Sequence, residues 1–368
     1  MHVLIDARMA TSKKFGFGRY VHNLLKQFTL LDQQDRFTFL VNDLALAEWG
    51  KIAPNIDFHK VDIKWLSVSE QLWLPLVIRK IRPDVFFSPT FIAPVVQPCP
   101  TVIAIHDLMH VIFSKHYFIF HKIYYGLFLR SAAKNAKMLI TKSGNSKRDI
   151  MRYYGIPEEK IVIIPDGVEA EFKPIRDVER IKAFRQKLDL PPKFILFVGA
   201  RKVNKNIEGI LAAYSVFCGQ NSQYSLVLSG NQDAKTSALA KKYRIEDKIA
   251  YIGEIEEADL PLLYNSADLF LSPSLYEGFG LPHLEAMACG LPVIASNASS
   301  LPEVVGDAGI LVDPRRPDDI AAAMVRVLGD KELKDDLVRK GLERAKKFSW
   351  EISASGTLDV CRNASGEH

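Results

Sequence analysis

The 368-residue chain has little of what staples a small fold or anchors a chain in lipid. Its four cysteines, Cys99, Cys218, Cys289 and Cys361, are scattered and form no CxxC pair. That excludes a disulfide framework and a cysteine zinc site, and points to reduced thiols. Apolar runs such as KFILFVGA fall far short of the roughly 20 residues that span a bilayer. Asp6 and Arg8 stand where a secretory leader would be apolar, so a cytosolic protein beginning in a core strand is expected. Charge of one sign is also scarce. A net charge of +5 is small for this length and argues against nucleic acid. It suits anionic small ligands or an anionic membrane face. HExxH is absent, the histidines lack metal-ligand spacing, and neither a GxSxG elbow nor a Walker A loop occurs.

What is present is an alternation of strands and helices without heptads or long repeats. HVLIDA, RFTFLVN, IDFHKVDI, DVFFSP, TVIAIHD, KMLITKS and KIVIIPDGV are short β-rich runs. Residues 169–192, charged and bounded by prolines, read as a linker plus a short helix. A second series follows: FILFVGA, YSLVLSG, KIAYIG, ADLFLSPS, PVIAS and GILVDP. Continuous apolar strands with helical crossovers predict parallel sheets covered on both faces. The expectation is therefore two doubly wound α/β domains, over residues 1–172 and 190–345, facing each other across a cleft. The last helix, within 349–368, would join the first domain. Ligands in such sheets bind outside the carboxyl ends of the strands.

The stretch SLYEGFGLPHLEAMACGLPVIAS, residues 274–296, concentrates the chemistry. Gly278 and Gly280 permit a tight turn, and Pro282 suits the first position of a helix with Gly290 at its end. The amides of Phe279, Gly280 and Leu281 would then form an anion site. Glu285 falls in the first turn, where a carboxylate also favours the helix dipole. Glu277 reads equally as an ordinary loop acid. A carboxylate beside a phosphate is repulsive unless it accepts hydrogen bonds from sugar hydroxyls, and hydroxyl recognition would explain acids flanking an anion site. In FVGARKVNKNI, Arg201 and Lys205 sit between a strand and a helix start; they are either solvated cations or partners of a diphosphate. KKFGFGRYVHNLL places Gly16 and Gly18 after the first strand without a full GxGxxG fingerprint. His106, in TVIAIHDLMH, lies at a strand end, where a lone histidine is commonly structural. KHYFIFHKIYYGLFLRSAAKNAK mixes aromatics with cations. It reads as a helix packed on the first sheet, with a membrane-surface helix as the alternative.

Taken together, PSLYEGFGLPHLEAMACGLPVIASNASSLPEVVGDAGILVDP resembles the signature of the family 4 (group 1) retaining glycosyltransferases, with two glutamates separated by seven residues. FVGARKVNKNI, FGFGRYVHNLL, IAIHDL, TKSGNSKRDI, IPDGVEAEF and FSWEISA resemble further landmarks of that family, so the likeness covers nearly the whole chain. It implies a GT-B fold, two Rossmann-like domains with a cleft between them, the first on the acceptor side and the second on the donor side. It implies sugar transfer from a nucleotide-sugar with retention, to a glycan or lipid-linked acceptor of a surface polysaccharide. Mannose from GDP-mannose is the donor that family membership favours; no residue encodes the base. By the resemblance, Arg201 and Lys205 hold the diphosphate, Glu285 the ribose and Glu277 the donor sugar. Gly16 or Gly18 approaches the phosphates, and His106 lies near the transferred sugar. Phe17, bulky between the glycines, departs mildly from the pattern. No cofactor or metal is expected, the nucleotide-sugar being a co-substrate. The enzyme would be cytoplasmic or peripheral on the inner face of the membrane. Two other readings are a non-catalytic nucleotide-binding subunit that scaffolds an active partner, and an NAD-dependent oxidoreductase, which the incomplete fingerprint disfavours.

Overall fold

The computed structural model describes residues 1–9, 16–31, 34–42, 54–116, 124–219 and 221–366. The chain divides into two compact units, Met1–Gly167 with Ser349–His368, and Val168–Phe348. Every β-rich run named above forms a strand.

The first unit is a seven-stranded parallel sheet in the order β3-β2-β1-β4-β5-β6-β7. The strands are β1 (His2–Asp6), β2 (Arg36–Val41), β3 (Ile56–Lys60), β4 (Val85–Ser88), β5 (Thr101–Ala104), β6 (Met138–Thr141) and β7 (Ile161–Ile163). Their side chains alternate between two apolar layers. One layer receives Tyr20, Leu24 and Phe28 from the helix Phe17–Leu31, and Trp350, Ala354 and Leu358 from the helix Trp350–Ser365. Ser349 caps that last helix by accepting from the Ile352 amide at 3.1 Å. The other layer receives Leu74 and Ile78 from the helix Glu70–Ile81 and Tyr124, Tyr125 and Leu129 from the segment after it.

The second unit is a six-stranded parallel sheet, β10-β9-β8-β11-β12-β13. It is built from β8 (Phe194–Phe197), β9 (Ser225–Leu228), β10 (Ile249–Tyr251), β11 (Leu269–Ser272), β12 (Val293–Ser296) and β13 (Ile310–Val312). The stretch expected to be a linker is part of this unit. Its helix, Val178–Lys187, buries Phe184, and Phe172 joins the same core, so charge on the outer face concealed an apolar inner one.

In both sheets the strand order reverses once, between β1 and β4 and between β8 and β11. At such a switch the two flanking loops leave in opposite directions and open a crevice at the carboxyl ends.

Candidate functional site

The residues picked out in the second half gather at the β8/β11 switch point. β8 and β11 pair directly, Leu269 against Ile195 and Phe270 against Leu196. Past β8 the chain runs through a single tight turn, Val203–Lys205, into the helix Ile207–Cys218. Past β11 it runs through a glycine turn into the helix Leu281–Ala288. Two asparagines lock these loops together. The Asn204 carbonyl accepts from the Leu275 amide at 2.7 Å, and its side-chain amide donates to the Tyr276 carbonyl at 3.0 Å. Asn206, in the left-handed conformation at φ 57°, donates to the Pro273 carbonyl at 3.1 Å. With the register fixed, Lys205 Nζ stands 2.7 Å from Glu277 Oε1.

Two serines from the loop after β12 hold Glu277 from the other side. The Ser299 hydroxyl accepts from the Glu277 amide at 3.1 Å and donates to its carbonyl at 2.5 Å. The Ser300 hydroxyl lies 2.9 Å and 2.8 Å from the carbonyls of Glu277 and Phe279. The turn itself needs glycine. Gly280 has φ 119°, and a methyl there would stand 2.6 Å from Leu301 Cδ2. Behind it, His283 Nε2 donates to the Ser272 carbonyl at 2.8 Å, and Nδ1 faces Gly280. Burial pulls the His283 pKa down to about 4, so the ring is a neutral wedge. The Gly280 carbonyl accepts from His283 and Leu284, so the amides of Phe279, Gly280 and Leu281 precede the first intrahelical donor. A helix start of this kind has the geometry that can receive an anion.

Two residues sit differently from expectation. The helix begins at Leu281, one residue earlier than Pro282, which leaves Glu285 beyond the first turn. Its buried carboxylate accepts from the Tyr264 hydroxyl at 2.7 Å, so the dipole account of Glu285 gives way to a buried hydrogen bond. Arg201 is heavily engaged by the protein. Its guanidinium lies 3.0 Å from Asp233 Oδ2, donates to the carbonyls of Ser229 at 3.1 Å and Gly230 at 2.9 Å, and also bonds the Asn231 carbonyl. It stacks 5.3 Å above Tyr251 as well. Asp233 in turn caps the helix Ala234–Tyr243 through the Thr236 amide. Arg201 and Lys205 leave the same strand, but only Lys205 is paired with a glutamate of the glycine turn.

Gly16, Gly18 and His106 belong to the first unit. Gly16, at φ 55°, turns the chain into the helix Phe17–Leu31, and Gly18 lies buried inside that helix, so only Gly16 is in the turn. Lys13, Lys14 and Phe15 lie outside the described residues. His106 follows β5 and is bonded through Nε2 to the Pro89 carbonyl at 2.8 Å. A carbonyl only accepts, so Nε2 carries the proton. Burial, then Lys142, pull the His106 pKa down to about 4. Tyr20 meets the imidazole edge-on at 4.8 Å, and Lys142 Nζ sits 3.6 Å above the Tyr20 ring and 2.8 Å from Asp166. Of KHYFIFHKIYYGLFLRSAAKNAK, residues 117–123 lie outside the described set. In the described part Tyr124, Tyr125 and Leu129 point into the core, as a packed helix requires.

Sequence reasoning passed over Asn204, Asn206, His283, Ser299 and Ser300. The serines lie in the quoted run NASSLPEVV, but nothing local relates them to Glu277. The pairing of β11 with β12 does.

Residues 16–172 match glycosyltransferase family 4, and residues 179–344 match the glycosyl transferases group 1. The chain belongs to the family 4, group 1 glycosyltransferases. Among curated relatives of this family member, the O-antigen chain mannosyltransferase B of Escherichia coli is 36% identical over 236 residues, covering 63% of this chain and 62% of the relative. The serotype-specific mannosyltransferase WbdA of Escherichia coli is 29% identical over 96% of this chain and 47% of its own length. The chain thus spans about half to three-fifths of the length of the curated relatives it matches. The fold is GT-B. It resembles sucrose-phosphate synthase from Thermosynechococcus elongatus at TM-score 0.77 and 20% identity over the whole of both chains. It resembles Anabaena HepE in complex with UDP and glucose at TM-score 0.78 and 17% identity, over 99% of this chain and 100% of the other.

Proposed function

We propose that the protein is a retaining hexosyltransferase that moves mannose from GDP-mannose to a glycan or lipid-linked saccharide in surface-polysaccharide synthesis. The observation that carries the reading is the Lys205–Glu277 pair beside the glycine turn at the β8/β11 switch point. It sets a cation for a diphosphate, a carboxylate for sugar hydroxyls and a helix start for a phosphate around one loop. Two mannosyltransferase relatives favour mannose, and a structural neighbour crystallised with UDP and glucose supports a nucleotide-sugar donor. The intact pair speaks against a nucleotide-binding scaffold without activity. The second unit takes the donor and the first the acceptor.

The chemistry follows from charge. As the bond from the anomeric carbon to the diphosphate breaks, negative charge grows on the leaving oxygen and positive character on the sugar. Lys205 and the amides of the glycine turn answer the first, already oriented. Glu277 accepts hydrogen bonds from the sugar hydroxyls and fixes the ring. The acceptor oxygen bonds to the same face of the anomeric carbon, and its proton passes to the leaving phosphate oxygen. Arg201 and Glu285 complete the donor site, and His106, neutral at physiological pH, contacts the transferred sugar.

A thermal-shift panel of UDP-, GDP-, ADP- and dTDP-sugars tests the donor, with a GDP-sugar giving the largest shift. Glu277→Gln tests the site. Each charge-assisted hydrogen bond is worth about 1.5–3 kcal/mol, so transfer should fall at least tenfold. Binding of the bare nucleoside diphosphate should tighten, because Lys205 no longer has a carboxylate to leave. Wild-type turnover in that variant would falsify the role given to Glu277. Absence of transfer from every donor, with nucleotide binding retained, would establish the scaffold reading instead.

A further inference from the structure

The helix Glu70–Ile81 is apolar on two sides. Leu74, Pro75 and Ile78 are buried. On the outer side Leu72 is 67% exposed, Trp73 58% and Leu76 52%, and Val68, in the turn leading into the helix, is 55% exposed. Positions 72, 73 and 76 fall within one stripe of the helix, since residues three and four apart are neighbours, and Val68 lies in the turn just before it. One turn further along, Arg79 and Lys80 continue the stripe and are exposed. Scattered exposed apolar residues are ordinary, but three on one helix face, with a tryptophan at the centre and Val68 just before them, mark an interaction surface.

Charge identifies the partner. Glu70 is buried, and no other acid occurs before Asp84, so every exposed charge on this helix is positive. The neighbouring surface has the same sign. Gln71 donates to the Tyr124 hydroxyl at 3.3 Å and accepts from the Val95 amide at 2.9 Å, which sets the 94–97 loop and the segment from Tyr124 beside the helix. These neighbours expose Val96 and Leu127. Between Asp107 and Asp149 the sequence has no acid at all, and Arg130 and Lys134 are exposed there.

We propose that this stripe docks on the surface of an anionic lipid bilayer. Tryptophan and leucine side chains of an amphipathic helix bury at the headgroup boundary, and lysine and arginine at its rim are drawn to anionic headgroups. Among the described residues no helix is long and apolar enough to cross a membrane, so docking here is peripheral. The docking stands apart from which sugar is moved. It places the first unit against the surface on which a lipid-linked acceptor lies. The aromatic stretch, for which membrane contact was the alternative reading, buries Tyr124 and Tyr125, and the exposed apolar stripe belongs to the helix before it.

The test is co-sedimentation of the full chain with vesicles of phosphatidylcholine alone and with added phosphatidylglycerol. The protein should pellet with the anionic vesicles and be released by salt. Trp73→Ser with Leu76→Ser should cut the bound fraction about tenfold or more, and Arg79→Glu with Lys80→Glu about tenfold. Both pairs are exposed, so the melting temperature should hold. The tryptophan emission should shift to the blue on anionic vesicles, and Trp73→Phe should abolish that shift. Full recovery of the wild type in the low-salt supernatant would overturn the proposal, as would double variants that pellet like wild type. So would a stable dimer that Leu72→Ser with Trp73→Ser dissociates, because the face would then receive a second copy of the chain.

Discussion

At the strand ends of the first unit, Arg8 lies 2.6 Å from Asp6 and 3.4 Å from Glu70, and Lys142 lies 2.8 Å from Asp166. All five residues are buried. At the corresponding edge of the second unit, Lys205 lies 2.7 Å from Glu277, but the two side chains keep 15% and 11% of their exposure. The strand orders match in the region around the switch, and the pair distances are similar. What differs is access to water. A fully buried ion has lost its hydration and depends on its protein partner, and removing that partner is strongly destabilising. A pair at the edge of solvent can trade its partner for a phosphate or a sugar hydroxyl at smaller cost. One arrangement of strands thus carries a buried charge cluster in one unit and a less deeply buried pair in the other, the pair that the proposed function requires to exchange partners.

The sharpest way to break this comparison is Asp166→Asn, which strands the Lys142 ammonium. Burial alone would lower the Lys142 pKa, but Asp166 and Tyr20 outweigh it and hold the group charged. Losing the partner should cost about 3–5 kcal/mol in urea unfolding. Lys142→Met with Asp166→Leu should recover most of it. A single variant as stable as wild type would show that this pair is as exchangeable as Lys205–Glu277.

Next in size is a pH effect. Burial, with Asp6 adding to it against the pull of Arg8, raises the Glu70 pKa from 4.5 to about 7. Between those values the folded chain holds a proton that the unfolded chain has released. Stability should therefore fall as pH rises from 4.5 to 7, by up to about 3 kcal/mol. Glu70→Gln should flatten that slope. An unchanged urea-midpoint profile in the variant would remove Glu70 from the account.

Lys205→Ala should leave the melting temperature almost unchanged. It should weaken nucleoside diphosphate binding by one to two orders of magnitude, about 1.5–3 kcal/mol, the monophosphate less and the nucleoside hardly at all. Arg201→Ala should lower the melting temperature as well as the affinity, because Asp233 and three carbonyls lose their donor. Equal loss for all three ligands in the Lys205 variant would make that lysine structural. Transfer should survive EDTA, and its abolition would assign the diphosphate charge to a metal.

The smallest effect separates the two glycine turns. Among the described residues nothing comes within 4 Å of a methyl on Gly16, so Gly16→Ala should cost mainly the strain of φ 55°, about 1 kcal/mol. Gly280→Ala should cost more, since its methyl collides with Leu301. Equal melting temperatures for the two variants would contradict this ranking.

Much of this was legible in the chain alone. Short β-rich runs separated by helical crossovers specify parallel sheets, because periodicity and apolar content act over a few neighbouring residues. For that reason every strand of both sheets could be named in advance. Glu277, Lys205 and Gly280 were legible too, since a glycine turn, a helix start and nearby charges are local signals. Partnership was not. Whether Arg201 faces a ligand or Asp233 depends on the loop after β9, and whether Glu285 aids the dipole or bonds Tyr264 depends on a helix about twenty residues earlier. The same holds for the stretch 169–192, whose charged residues hid Phe172 and Phe184, and for the outward stripe around Trp73. Burial is set by what the rest of the chain covers. Composition and spacing therefore determined which elements form and which residue types cluster at their ends, and only the tertiary packing decided which charges stay committed to the protein and which can be offered to a ligand.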